Sequence, residues 1–133
     1  MNIFAVDDHV DMVWDAIEPM LARCLARNVD GYGTAEALEN IKARDSFVLV
    51  CEIDDVLRCV CLIDWHPDSL HVRTWTGEGR DDWFRQMIDT INKIARVTGR
   101  HYVTSTSRPG AAKVLKAEGW KVKDYFLVHE VAA

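Results

Sequence analysis

No window of this chain approaches the roughly 18 uninterrupted apolar residues of a membrane-spanning helix. Its opening, MNIFAVDDHVDMVWD, has neither a basic stretch nor the apolar run of an export signal. The expectation is a cytoplasmic protein with no membrane partner. Proline is scarce, at three residues, and there are no repeats and no low-complexity segments to separate the chain into linked units. The 133 residues therefore read as a single domain, 1–133. The four cysteines, Cys24, Cys51, Cys59 and Cys61, lack the paired CxxC spacing of a zinc site, and without an export signal nothing argues for disulfides. Cys59-Val60-Cys61 would place two sulfurs on one face of a strand among Val and Ile, with no His or carboxylate beside them in sequence. Buried thiols are expected there, and no metal is assigned. The basic residues form no run, so no nucleic acid is expected either.

What is present is a composition 49% hydrophobic, long enough to bury roughly two thirds of the unfolded surface. Charge is unevenly divided. Residues 1–66 carry 13 acids and 5 bases, whereas 67–133 carry 8 acids and 11 bases, so a net charge of −5 hides a mildly electropositive second half suited to an anionic ligand or an acidic partner.

Periodicity gives the elements. After a short apolar run at Ile3–Val6, apolar residues from Val10 to Leu25 recur at helical spacing, with Asp7 or Asp8 as N-cap and a kink or break expected at Pro19. Thr34 would cap a second helix. Ser46–Ile53 and Val56–Trp65 read as a hairpin turning on Asp54-Asp55. An uninterrupted register from Ile53 and Val56 groups Val48 and Val50 with Cys59, Cys61 and Ile63 on one face, and Phe47, Leu49 and Cys51 with Val60 and Leu62 on the other. Both faces are apolar, so helices must cover both sides. Ser69–Thr76 is a strand with a more polar face carrying His71, Arg73 and Trp75. TGEGRDDWF then leads into a helix with Phe84, Met87, Ile88, Ile91, Ile94 and Ala95 inward, stopped by Gly99. A strand at Tyr102–Ser105, a helix at Gly110–Glu118 and a last strand at Lys121–Val131 complete the order. The fold class is α+β: a mixed central sheet of about six strands with helices on both faces.

The element order, the Gly77-Glu78-Gly79 ahead of the central helix and the ending LKAEGWKVKDYFLVHEV together resemble the GNAT (Gcn5-related N-acetyltransferase) superfamily across nearly the whole chain. The resemblance implies an acyl-CoA N-acyltransferase-like fold. It also implies a coenzyme A pyrophosphate held by the helix N–H groups, with Arg73, Gly77, Gly79 and Arg80 as the binding residues. In the family's pattern two residues separate the Arg from the first glycine; here there are three. Asp81 and Asp82 stand where the pyrophosphate would be held, and like charges repel. Leu115 occupies the place of the tyrosine that serves as general acid in that family, with Ala111 and Arg108 before it, leaving Tyr125 as the substitute. The Ser69–Thr76 strand offers no carboxylate base; His71, with an ordinary pKa near 6.5, is the candidate.

Two readings follow. One is a GNAT-fold protein with degenerate cofactor and catalytic motifs and no cofactor. It would act through protein contacts at Trp75, Trp83 and Arg108, as either a hetero-complex or a homo-oligomer. Its outline and Arg108-Pro109-Gly110 resemble the degenerate GNAT-like proteins of tailed phages and prophages, which would place it in a host cytoplasm or a virion. The other is an active transferase moving an acyl group from acetyl-CoA to an amine, with His71 and Tyr125 as catalytic groups. The hydroxyl-rich Thr104–Ser107 run lacks a nucleophile elbow and reads as the self-bonding end of a strand.

Overall fold

The computed structural model describes residues 1–27, 31–105, 109–123 and 126–132, with side chains described outside 109–111, 122–123 and 126–128. Strand β1 is Asn2–Ala5, followed by helices α1 (Val10–Leu25) and α2 (Thr34–Lys42). Strands β2 (Ser46–Ile53), β3 (Val56–Trp65), β4 (Ser69–Val72) and β5 (Thr76–Gly77) precede helix α3 (Arg80–Val97). Strand β6 (Tyr102–Ser105), helix α4 (Pro109–Ala117) and strands β7 (Lys121–Lys123) and β8 (Phe126–Glu130) follow. The strands lie in the order β1-β2-β3-β4-β6-β8-β7, and β5 pairs with β3 farther along the line of β4. Only β4 and β6 pair in parallel among the described strands. This is the mixed α+β sheet, covered by helices on both faces, that the sequence implies.

The β2–β3 turn forms as its sequence predicts. Asp54 and Asp55 both adopt positive φ, 52° and 61°, and Ile53 faces Val56. Aspartate tolerates this left-handed backbone better than bulkier residues do, which lets two carboxylates do the work usually given to Asn-Gly. The register beyond the turn differs from the expectation. Glu52 pairs with Leu57 but Cys51 pairs with Cys59, so Arg58 is an extra residue, a β-bulge. Side chains alternate with a period of two, so one inserted residue moves everything after it to the opposite face. Cys59, Cys61 and Ile63 therefore join Phe47, Leu49 and Cys51 under α3, and Val60 and Leu62 join Val48 and Val50 under α1 and α2.

Four further expectations are corrected. Helix α1 runs unbroken through Pro19; the ring removes one hydrogen bond, and the buried stripe of Val10, Ile17, Leu21 and Leu25 holds the helix together. Asp7 does not cap α1. Residues Asp7–His9 form a 3-10 turn, and the Asp7 carboxylate accepts the Val48 N–H at 3.0 Å, pinning the chain to β2. Thr34 opens α2 as its first residue, but Gly33 stands at the N-cap position, its N–H donating to Glu36 Oε2 at 3.0 Å. The final strand is two strands, with Lys121 paired to Val128 and Lys123 to Phe126.

Candidate functional site at the ends of two parallel strands

The parallel ladder between β4 and β6 runs from Ser69↔Tyr102 to Val72↔Ser105. Beyond Val72 the chain bulges. Arg73 N–H and Thr74 N–H both point at the Leu62 carbonyl, at 2.8 and 3.4 Å, while Leu62 N–H donates to Thr74 Oγ1 at 2.9 Å. Pairing with β3 resumes at Val60↔Thr76 and Cys59↔Gly77. One residue is absorbed here, which gives the long spacing between Arg73 and Gly77 a structural basis. Each parallel strand is followed by a helix, β4 by α3 with β5 between them, and β6 by α4. Carboxyl ends of parallel strands where neighbours change direction are where open α/β sheets bind ligands.

The glycine segment makes the turn into α3. A Cβ on Gly77 would lie 2.1 Å from the Arg58 carbonyl oxygen and 2.7 Å from Cys59 Cα, so Gly77 is demanded by close packing on the Arg58 bulge. Gly79 takes φ +64 as the N-cap of α3. Glu78 N–H donates to the Arg58 carbonyl at 2.9 Å, and Thr76 Oγ1 donates to the Met20 carbonyl at 3.1 Å, so the segment is tied to both β3 and α1. At the helix end Asp82 N–H is already bonded to the Gly79 carbonyl at 2.9 Å. Its carboxylate sits beside Gly79 and 4.0 Å from the Arg58 guanidinium. Arg80 is exposed, its guanidinium 5.7 Å from the centre of the Phe84 ring.

Trp83 and Trp75 lie inward. Trp83, expected toward the helix edge or a partner, is 1% exposed and donates its indole N–H to the Glu78 carbonyl at 2.8 Å. That bond satisfies the one polar atom that would have kept the ring near solvent. Trp75, also expected at a partner surface, is half-buried. It stacks on Phe84 at 4.9 Å, meets Trp120 edge-on at 6.2 Å, and donates Nε1–H to Ser105 Oγ at 2.6 Å. It thus ties the chain just beyond β4 to the last residue of β6.

On the opposite face, under α1 and α2, a polar cluster surrounds the same strand. Asp64, 7% exposed, accepts from Ser46 Oγ at 2.6 Å and, on Oδ2, from both Arg73 Nε at 2.9 Å and Arg73 NH2 at 2.8 Å. The Arg73 guanidinium lies 3.9 Å over the Tyr32 ring, and the Tyr32 hydroxyl accepts from Asn40 Nδ2 at 2.9 Å. Arg73 is thus engaged on the side of the sheet facing away from α3. His71 is cross-strand to Asp64, and its Nδ1 is 2.7 Å from Thr104 Oγ1. Burial lowers the His71 pKa to about 4, with Arg73 and His66 pulling the same way and Asp64 only partly opposing them. The imidazole is neutral at physiological pH and a weak base. Tyr125 and Arg108 lie outside the described residues.

Sequence reasoning missed Tyr32 and Arg58 and the bonds of the Thr104 and Ser105 hydroxyls to His71 and Trp75; Thr106 and Ser107 lie outside the described residues. Cys59 and Cys61 do share a face, with sulfurs 3.5 Å apart, and burial and that contact push the Cys59 thiol pKa far up, so it stays protonated. Among the described residues no three His, Cys, Asp or Glu are grouped to hold a metal, and no helix is long and apolar enough to cross a membrane.

No protein-family model and no curated protein matches the sequence. Solved structures do match. Aminoglycoside 6′-N-acetyltransferase from Enterococcus faecium superposes with a TM-score of 0.77 at 10% identity, covering 100% of this chain and 98% of that one. Tetrahymena Gcn5 gives 0.72 at 11% identity over 98% and 95%. The yncA protein of Salmonella typhimurium, solved with its cofactor acetyl-CoA, gives 0.73 at 16% identity over 100% and 95%. At these identities the similarity establishes the shared fold, with the chemistry left to the residues of the site.

Proposed function

We propose that this chain is a GNAT-fold protein that does not transfer acyl groups and works through contacts with other proteins. The observation that carries this reading is the end of α3. A diphosphate there would need free backbone N–H groups and the positive end of the helix dipole, yet Asp82 already lies against Gly79 and near Arg58, and Asp81 adds a second negative charge. Arg73, the other candidate for the cofactor, is held by Asp64 and Tyr32. His71 also fits poorly as a catalytic base, because a group with a pKa of about 4 takes a proton from an amine far less readily than one near 7.

With Trp75 and Trp83 turned inward, the contact surface falls elsewhere. Met12 and Phe4 are large exposed apolar side chains in the acidic first half of the chain, and they suit a partner with an apolar, electropositive face. The likeness in outline to degenerate phage and prophage GNAT-like proteins supports a virion or host protein in that role. Titration calorimetry with acetyl-CoA tests the reading: no heat and no rise in melting temperature at millimolar ligand is expected. A rise in Tm would overturn it. The alternative, an acetyl-CoA-dependent N-acyltransferase with His71 as base, is favoured by the whole-chain match to yncA, which was solved with that cofactor.

A further inference from the structure

We propose that the outer edge of β1 is a self-pairing surface, on which two copies of this chain join their sheets in antiparallel register about a two-fold axis at Phe4. The inference does not rest on the function proposed above. Strand β1 ends the sheet, and among the described strands it pairs with β2 alone. Val6 N–H donates to the Val48 carbonyl at 3.2 Å, continuing the register of Ala5↔Leu49, so the Val6 backbone turns toward β2. Antiparallel ladders alternate hydrogen-bonded and non-hydrogen-bonded pairs. Asn2 and Phe4 therefore also turn their N–H and C=O groups to β2, and Ile3 and Ala5 turn theirs outward. Among the described residues no hydrogen bond reaches those outward groups.

That outward pattern fits a copy of itself. With Phe4 opposite Phe4 of the second copy, Ile3 of each chain meets Ala5 of the other, and their N–H and C=O groups form four bonds across the axis. Non-hydrogen-bonded pairs bring side chains closest, so the Phe4 ring, 41% exposed in the single chain, is covered by its twin. Charge permits the match. Met1 to Val6 carries no charged side chain, so no like charges come face to face. The acids that follow are engaged within their own chain, Asp7 with the Val48 N–H at 3.0 Å and Asp8 with Arg44 at 2.9 Å. A partner selected by charge has nothing to read in Asn2–Ala5, whereas a second copy matches it residue for residue. Edge strands are commonly protected by lysine, proline or a bulge, and β1 has none of these. Its four-residue length limits the contact, which falls at the small end of specific interfaces and gives a dissociation constant on the order of 100 μM. A two-fold contact uses both open edges and stops at two copies. Pairing covers Phe4 and leaves Met12, 84% exposed, to another protein.

Sedimentation equilibrium of the full chain tests the proposal, with the mass rising toward twice that of one chain as concentration goes from about 10 μM to about 1 mM. Ala5→Pro removes an outward N–H from each copy and none of the bonds to β2, so it should fold and weaken the dimer roughly thirtyfold or more. Circular dichroism and thermal melts confirm the fold; Phe4→Glu, which sets two carboxylates opposite each other, serves if the proline variant unfolds. Cross-linking fixes the register. Phe4→Cys should form a disulfide-linked dimer under mild oxidation with copper phenanthroline, because directly opposite Cα atoms of a non-hydrogen-bonded pair lie about 4.5 Å apart, within disulfide reach. The wild-type chain, with its four native cysteines, is the control and should not cross-link. A wild-type chain that stays monomeric at about 1 mM overturns the proposal and leaves the proposed function standing. A dimer that survives in a folded Ala5→Pro or Phe4→Glu variant, or whose Phe4→Cys form does not cross-link, is built on another surface or register and overturns it as well.

Discussion

The two faces of the sheet around β4 are built from different forces. Toward α3, Trp75, Phe84, Trp83 and Trp120 pack ring on ring with few polar contacts. Toward α1 and α2, Asp64, Arg73, Tyr32, Ser46, His71 and Thr104 form a network of charge and hydrogen bonds. Packing forces are non-directional and indifferent to pH, whereas a buried ion pair depends on every member being present and correctly protonated. The same strand should therefore be sensitive to acid and to single polar deletions on one face and to changes of shape on the other.

Asp64→Ala should be the most damaging change. It leaves the Arg73 guanidinium without its carboxylate and Ser46 without its acceptor, at a cost of about 3 kcal/mol; Arg73's partial exposure holds the loss at the low end for buried pairs. Urea denaturation would show this as a lower midpoint at unchanged slope. Second comes the response to acid. Between pH 6.5 and 4 the unfolded chain binds a proton at His71 that the folded chain refuses, so stability falls as pH drops through that window and this contribution levels off below it. The loss is bounded at about 3 kcal/mol. Melting curves of wild type and His71→Gln should converge in slope above pH 6.5 and diverge below; parallel curves throughout would show that His71 is not held neutral.

On the other face, Gly77→Ala should cost about 1–3 kcal/mol, because its methyl carbon has nowhere to go except into the Arg58 backbone. This loss should not vary with pH between 4 and 7, which sharpens the contrast with His71. Trp75→Phe keeps a ring against Phe84 and removes only the donor to Ser105, for about 1 kcal/mol. Asp82→Asn should be smallest, a few tenths of a kcal/mol at this exposed helix end, and should fade with added salt.

How much could be read in advance depended on whether a feature is local. The inward stripe of α3, with Phe84, Met87, Ile88, Ile91 and Ala95 buried, follows from spacing alone. So do the stop at Gly99, where φ is +75, and the Asp54-Asp55 turn. The faces of β3 did not follow, because the bulge at Arg58 leaves no mark in the hydrophobic pattern: residues on both sides of it are apolar whichever way they point. Trp83 was misplaced for a related reason. Its neighbour Phe84 has a clear inward position, and only the Glu78 carbonyl, brought round by the turn at Gly79, makes a home for the second ring. The cluster around Asp64 joins residues from Tyr32 to Thr104, and no spacing rule links them.

The sequence by itself determined the element order, the covering of both sheet faces and the acidic start of α3, since these rest on periodicity, composition and charge along a contiguous stretch. Only the tertiary structure decided which face each side chain takes, that Arg73 pairs with Asp64, and that Trp75 bonds Ser105 at the end of β6. Those outcomes turn on two inserted residues, at Arg58 and at the Arg73–Thr74 bulge, whose effect appears only when one strand is laid against another.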